Sequence, residues 1–131
     1  MAIYNKSMLQ ILLIPCLVLL SSLVCANPFE QEINYLKQYI KNSDCQFNRN
    51  GDIHSSPDAL VHIEKKYQYY KDDITSAEQF IEKSASKSTM SGKSYSVICP
   101  ASNKQQGHGQ QTLSSKTWLL RALSDYRNQV Q

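Results

Sequence analysis

Along residues 29–42 the apolar positions Phe29, Ile33, Leu36 and Ile40 recur at steps of four, three and four, with Glu30, Lys37 and Lys41 between them. That spacing gives a helix one dry face and one wet face, and predicts a first helix here. The period then changes. Cys45, Phe47 and Arg49 alternate with Gln46 and Asn48 up to Asn50-Gly51-Asp52, which reads as a short strand running into an Asn-Gly turn. A second helix is predicted to start at Ser56 as N-cap, with Pro57 at its first position and Asp58 where the helix dipole favours a carboxylate. Its buried stripe is Ala59, Leu60, Ile63, Tyr67 and Tyr70, with Tyr69 off the stripe.

Thr75-Ser76-Ala77-Glu78 reads as a capping box opening a third helix, with Ala77, Phe80, Ile81, Ser84 and Ala85 inward. Lys83 to Ser94 is rich in Ser, Thr and Lys and is expected to be a helix end and an exposed loop. Tyr95 to Cys99, stopped by Pro100, is a second strand. Ala101 to Gln111 is polar, contains Gly107-His108-Gly109 and has no periodicity, so a mobile loop is expected. A last helix over 114–128 is expected to bury some of Leu119, Leu120, Leu123 and Tyr126, with Trp118 in its first turn. The expected fold class is α+β, mainly helical, with about four helices around a short two-stranded sheet and one disulfide.

Not all of the 131 residues belong to that fold. Lys6 precedes a nearly uncharged run from Met8 to Val24, and Val24-Cys25-Ala26 is a small-residue exit. Residues 1–26 are therefore read as an export signal cleaved after Ala26. The alternative is an uncleaved anchor, against which Pro15 argues. Residues 27–131 then form one mature domain in the periplasm, or secreted, with no stable membrane span. Of four cysteines, Cys16 and Cys25 leave with the signal, so Cys45 and Cys99 can pair only with each other. The bond closes a loop of about 55 residues and is worth roughly 4 kcal/mol by chain-entropy reasoning. The other reading is two free buried thiols. There is no CxxC redox motif.

With 14 basic and 11 acidic side chains the net charge is only +3, and the basic residues are scattered. Such a chain lacks the clustered stripe that releases counterions from nucleic acid, so no nucleic-acid partner is expected. Two short strings invite enzymatic readings that fail. Gly92-Lys93-Ser94 resembles the end of a phosphate loop, but Lys87 stands where its first glycine is required. Ser84-Ala85-Ser86-Lys87 matches S-x-x-K without its companion strings, and Ser84 falls on the predicted core face. His54, His62 and His108 lack the spacing of a zinc site. No metal and no cofactor are expected.

The most informative stretch is Phe47 to His54, where a guanidinium (Arg49), an Asn-Gly turn and an imidazole (His54) precede a helix N-terminus. That combination suits an anion. Its structural alternative is that Gly51 supplies a positive φ while Arg49 binds loop carbonyls. His62, with Lys66 one turn later, is a further cationic pair on the second helix.

The strings F-x-R-N-G-x-x-H (Phe47, Arg49, Asn50, Gly51, His54), A-x-x-H-I-x-x-K (Ala59, His62, Ile63, Lys66) and S-G-K-x-Y (Ser91, Gly92, Lys93, Tyr95) resemble a family of small exported Gram-negative bacterial proteins of unknown function. The resemblance covers roughly 44–95 plus a C-terminal helix with Trp118-Leu119. It implies a periplasmic address and a shared fold, and no catalytic residue. The expected function is a non-enzymatic binding or adaptor module that uses Arg49, His54, His62, Lys66 and Lys93 for an anionic or polar envelope ligand or protein partner. One alternative is a small envelope hydrolase with His62 or His54 as general base. Another is an inhibitor of an envelope-degrading enzyme, inserting 87–93 or 103–110 as a loop.

Overall fold

The computed structural model describes residues 27–101 and 109–131. The expected signal over 1–26, with Cys16, Cys25 and the cleavage point Ala26, lies outside the described residues, as does most of the expected 101–111 loop with His108. The elements are α1 (Pro28–Lys41), β1 (Gln46–Arg49), β2 (Asp52–His54), α2 (Ser56–Tyr70), α3 (Ala77–Phe80), β3 (Ser96–Pro100), β4 (Gln110–Ser114) and α4 (Ser115–Val130). A short 3-10 turn, Lys71–Asp73, follows α2, and α3 runs on as a π-helical turn, Ile81–Ala85.

The sheet is four-stranded and antiparallel in the order β2-β1-β3-β4, not two-stranded as the pattern suggested. Both additional strands lie on its edges. Strand β2 exists because Asn50 and Gly51 both adopt positive φ, 58° and 99°. That pair of conformations makes the tight turn whose twist matches a hairpin, so the chain folds straight back on β1. Gly51 N–H donates to Asn48 Oδ1 at 2.9 Å, tying the turn to the strand that enters it. Strand β4 is Gln-Gln-Thr-Leu-Ser, in which only Leu113 is even partly covered. It is a strand because β3 offers it a ladder from Ser96↔Ser114 to Pro100↔Gln110, not because of any alternation of its own.

Register explains the core. His54, Phe47, Val97 and Leu113 are direct partners across all four strands, so they share one face of the sheet. Phe47 and Val97 join the buried cluster with Ile33, Leu36, Ile40, Ile63, Phe80, Ile81, Leu119 and Leu123. The predicted helical stripes supply most of that cluster, and Phe29, Leu60 and Tyr70 pack at its margin. Leu120 is 36% exposed and Tyr69 82% exposed. The chain bonds Cys45 to Cys99, next to the Gln46↔Ile98 pair. The disulfide therefore staples two neighbouring strands.

Helix starts shift by one residue from their predicted places. Ser55, not Ser56, caps α2, accepting from Asp58 N–H at 3.3 Å. Ser56 instead is buried and donates to the Cys45 carbonyl at 2.7 Å. Ser76, not Thr75, caps α3, accepting from Gln79 N–H at 3.1 Å, while Gln79 Oε1 accepts from Thr75 N–H at 2.7 Å. The cap is thus built on Ser76 and Gln79 rather than on Thr75 and Glu78, and it differs from a strict capping box in that the returning side chain reaches the N–H one residue before the cap.

Helices α1 and α4 run antiparallel. Tyr35 stacks on Tyr126 with ring centroids 4.3 Å apart, and Tyr39 lies 4.7 Å from Trp118. Arg127 grips Glu32 of α1 through Nε and Nη2 at 2.6 and 2.8 Å, and Glu78 of α3 through Nη1 at 2.6 Å. No helix among the described residues is long and apolar enough to cross a membrane.

Candidate functional site

Alternation along β1 decides which of its side chains meet the helices. Arg49 is two residues beyond Phe47, so it projects to the same helix-covered face. On α2, His62 and Lys66 are one turn apart and share a side of that helix. Tyr95, two residues before Val97, stands immediately ahead of β3, the strand on the other flank of β1.

Arg49, His54, His62 and Tyr95 line one small cavity with Phe47, Asn48, Ala59 and Ile63. Its volume is about 10 Å³, room for roughly one water. His62 Nε2 and Tyr95 Oη are 3.3 Å apart. Lys66 Nζ donates to the Lys87 carbonyl at 2.6 Å and sits 5.4 Å from the centre of the Tyr95 ring, close enough for a cation–π contact. His54 Nε2 is buried without a hydrogen-bond partner.

The electrostatics are one-sided. Burial, then the charges of Arg49, Lys66, His54 and Lys65, lowers the His62 pKa to about 4, so its ring is neutral near pH 7. Burial followed by Arg49 and Lys87 lowers Lys66. Burial raises the Tyr95 phenol against a smaller opposing pull from Arg49, which keeps its hydroxyl protonated. Among the described residues neither Arg49 nor Lys66 forms an ion pair, although the molecule pairs Lys37 with Glu64, Lys87 and Lys116 with Glu82, and Arg127 with Glu32 and Glu78.

Of the five candidate residues, Arg49, His54, His62 and Lys66 are gathered together. Lys93 is not. It lies exposed in the turn after α3, where its backbone carbonyl accepts from Ser88 N–H at 2.9 Å. That turn is nevertheless fastened to the β1–β2 hairpin by Ser91 Oγ and Asn50 Oδ1 at 2.8 Å, so the two sequence motifs meet through Ser91 and Asn50. The helix N-terminus that looked open to an anion is already occupied, because Ser55 and Asp58 cap each other there. Tyr95 and the Lys87 carbonyl were missed. An aromatic residue at the head of a strand reads as core, and a backbone carbonyl leaves no trace in side-chain pattern. Among the described residues no three His, Cys, Asp or Glu side chains gather to hold a metal ion.

Comparison with known proteins gives a family and no activity. Residues 27–127 match a family of unknown function, DUF5329. An uncharacterized protein, YfeK, of Salmonella typhimurium strain LT2 is 40% identical over 67 residues, which make up 50% of this chain and 56% of that protein. The match thus spans little more than half of that relative's length. No solved structure matches the chain.

Proposed function

The chain belongs to DUF5329, a family of unknown function, and on that premise we propose that it is a non-enzymatic binding module whose Arg49–His62–Lys66–Tyr95 face takes a carboxylate or phosphate group of its ligand. One observation carries this reading: two partly covered cations, Arg49 and Lys66, flank the His62–Tyr95 pair, and among the described residues neither has a carboxylate partner. Like charges gathered around a desolvated ring are unfavourable unless an anion completes the set. Arg49 would supply the planar fork that suits such a group. Tyr95 and neutral His62 add a hydroxyl and an imidazole as hydrogen-bond partners.

A histidine with a pKa near 4 is a poor proton acceptor for catalysis at neutral pH, which favours binding over hydrolysis. The export signal expected in residues 1–26 would carry this binding module to the periplasm or the cell exterior.

The test is amide chemical-shift titration of the labelled protein with inorganic phosphate and with acetate at low ionic strength. Saturable shifts at Arg49, His62, Lys66 and Tyr95 are expected for at least one anion. They should weaken with added salt and disappear in Arg49→Gln and Lys66→Met variants that keep their melting temperature. Lys93→Ala should leave them unchanged. Loss of fold in step with loss of shifts would make these residues scaffold and defeat the proposal.

A further inference from the structure

A second cleft shares no lining residue with the Arg49 cavity. It lies between α1, the first half of α4 and the disulfide-bonded end of the sheet, and holds about 760 Å³, within the size range of small-molecule sites. The half-buried Tyr35 and Tyr39 form its aromatic wall, with ring centroids 6.1 Å apart, and the buried Trp118, 4.7 Å from Tyr39, backs that wall from the core.

Besides Ser43 and Gln111, the polar side chains that line the cleft are Gln38, Asn42, Asp44, Arg121 and Asp125. None of the five makes a side-chain hydrogen bond or ion pair among the described residues. Arg121 and Asp125 are one helical turn apart and line the same cleft without pairing. Five exposed polar groups, without side-chain partners among the described residues, thus line one cleft with the aromatic wall.

Their chemistry selects the ligand. An anion would face Asp44 and Asp125, and a cation would face Arg121. The set offers donors (Arg121, Gln38, Asn42) and acceptors (Asp44, Asp125) in similar measure. A pyranose ring answers both, because each hydroxyl donates and accepts, and its C–H face lies on aromatic rings that are apolar in body and polar at the tip. We propose that this cleft is a binding site for an uncharged saccharide, held between the Tyr35–Tyr39 wall, backed by Trp118, and the Asn42, Arg121 and Asp125 side chains.

Trp118 is the chain's single tryptophan and lines this cleft, so its fluorescence gives one signal to follow, and the variants below assign that signal to the cleft. The experiment titrates the full chain with chitotriose and, separately, maltotriose up to about 10 mM, the weak end of specific affinities. A saturable change in Trp118 emission is expected for at least one of them. The dissociation constant should rise about tenfold in Asn42→Ala and in Asp125→Ala, the size of one or two lost hydrogen bonds. Arg49→Gln should not move it, which separates this site from the anion face. Both variants alter exposed side chains, and unchanged thermal melting confirms their fold. No saturable change with either sugar, equal affinity in both variants, or a response to acetate or lysine amide in place of the sugars would overturn the assignment.

Discussion

His62 is a histidine held neutral by its surroundings, and that has a measurable cost in acid. In an unfolded chain an imidazole protonates near pH 6.5, whereas the folded protein resists until about pH 4. Between those values the unfolded state binds the extra proton, so stability falls as pH drops from about 6.5 to about 4 and levels off below. Solvent screening of this half-covered ring limits the effect to on the order of 1 kcal/mol. Replacing His62 by Gln should flatten that part of the curve, as read by thermal melting at a series of pH values, without removing the later acid loss from Glu78 and Glu82. Both carboxylates are held low, chiefly by hydrogen bonds from Arg127 and Lys116. An unchanged slope in the variant would show that His62 ionises freely in the fold. The residue was visible in the sequence as half of a His–Lys pair one turn apart. Its neutrality was not, because that depends on Arg49 arriving from a different element.

Among the elements, the helices were legible because burial on one side leaves a three-and-four spacing. Phe80, Ile81, Ser84 and Ala85 are all buried as that spacing requires, even though the backbone there is π-helical. Cap positions slipped by one where two hydroxyl residues stand together, as at Ser55-Ser56 and Thr75-Ser76; either can cap, and the one left over turns to the Cys45 carbonyl in the first case and to Gln79 Oε1 in the second. The edge strands were illegible for different reasons. Three residues of β2 are too few to show a period, and β4 carries exposed polar side chains that look the same in a loop. The Cys45–Cys99 pairing could be reasoned from the sequence, and it acts on elements by holding β1 to β3. Changing both cysteines to serine should lower stability by about 2–4 kcal/mol, read as a drop in denaturation midpoint. A loss concentrated in exchange protection of β1 and β3, with the helical amides less affected, would identify the sheet as the stapled unit.

On the scale of the whole molecule, the fold is a helical layer closed over one face of a sheet, and the two candidate sites occupy different seams of that construction. The Arg49 face lies where α2 crosses β1; the aromatic cleft lies where α1 and α4 meet the opposite end of the sheet. Sequence pattern found the first because its residues cluster in short motifs. It passed over the second because Tyr39, off the stripe of the first helix, and Trp118, in the first turn of the last, are far apart in the chain and fall in no shared motif. The antiparallel pairing of α1 with α4, locked by Arg127 on Glu32, carries one more consequence. The start of the first helix and the end of the last lie side by side, so the order of the elements along the chain is not essential to their arrangement. A circular permutant that joins Gln131 to Asn27 through a short flexible linker and opens between Ser91 and Gly92 should fold to the same structure. It should form the same disulfide and melt within about 10 °C of the parent.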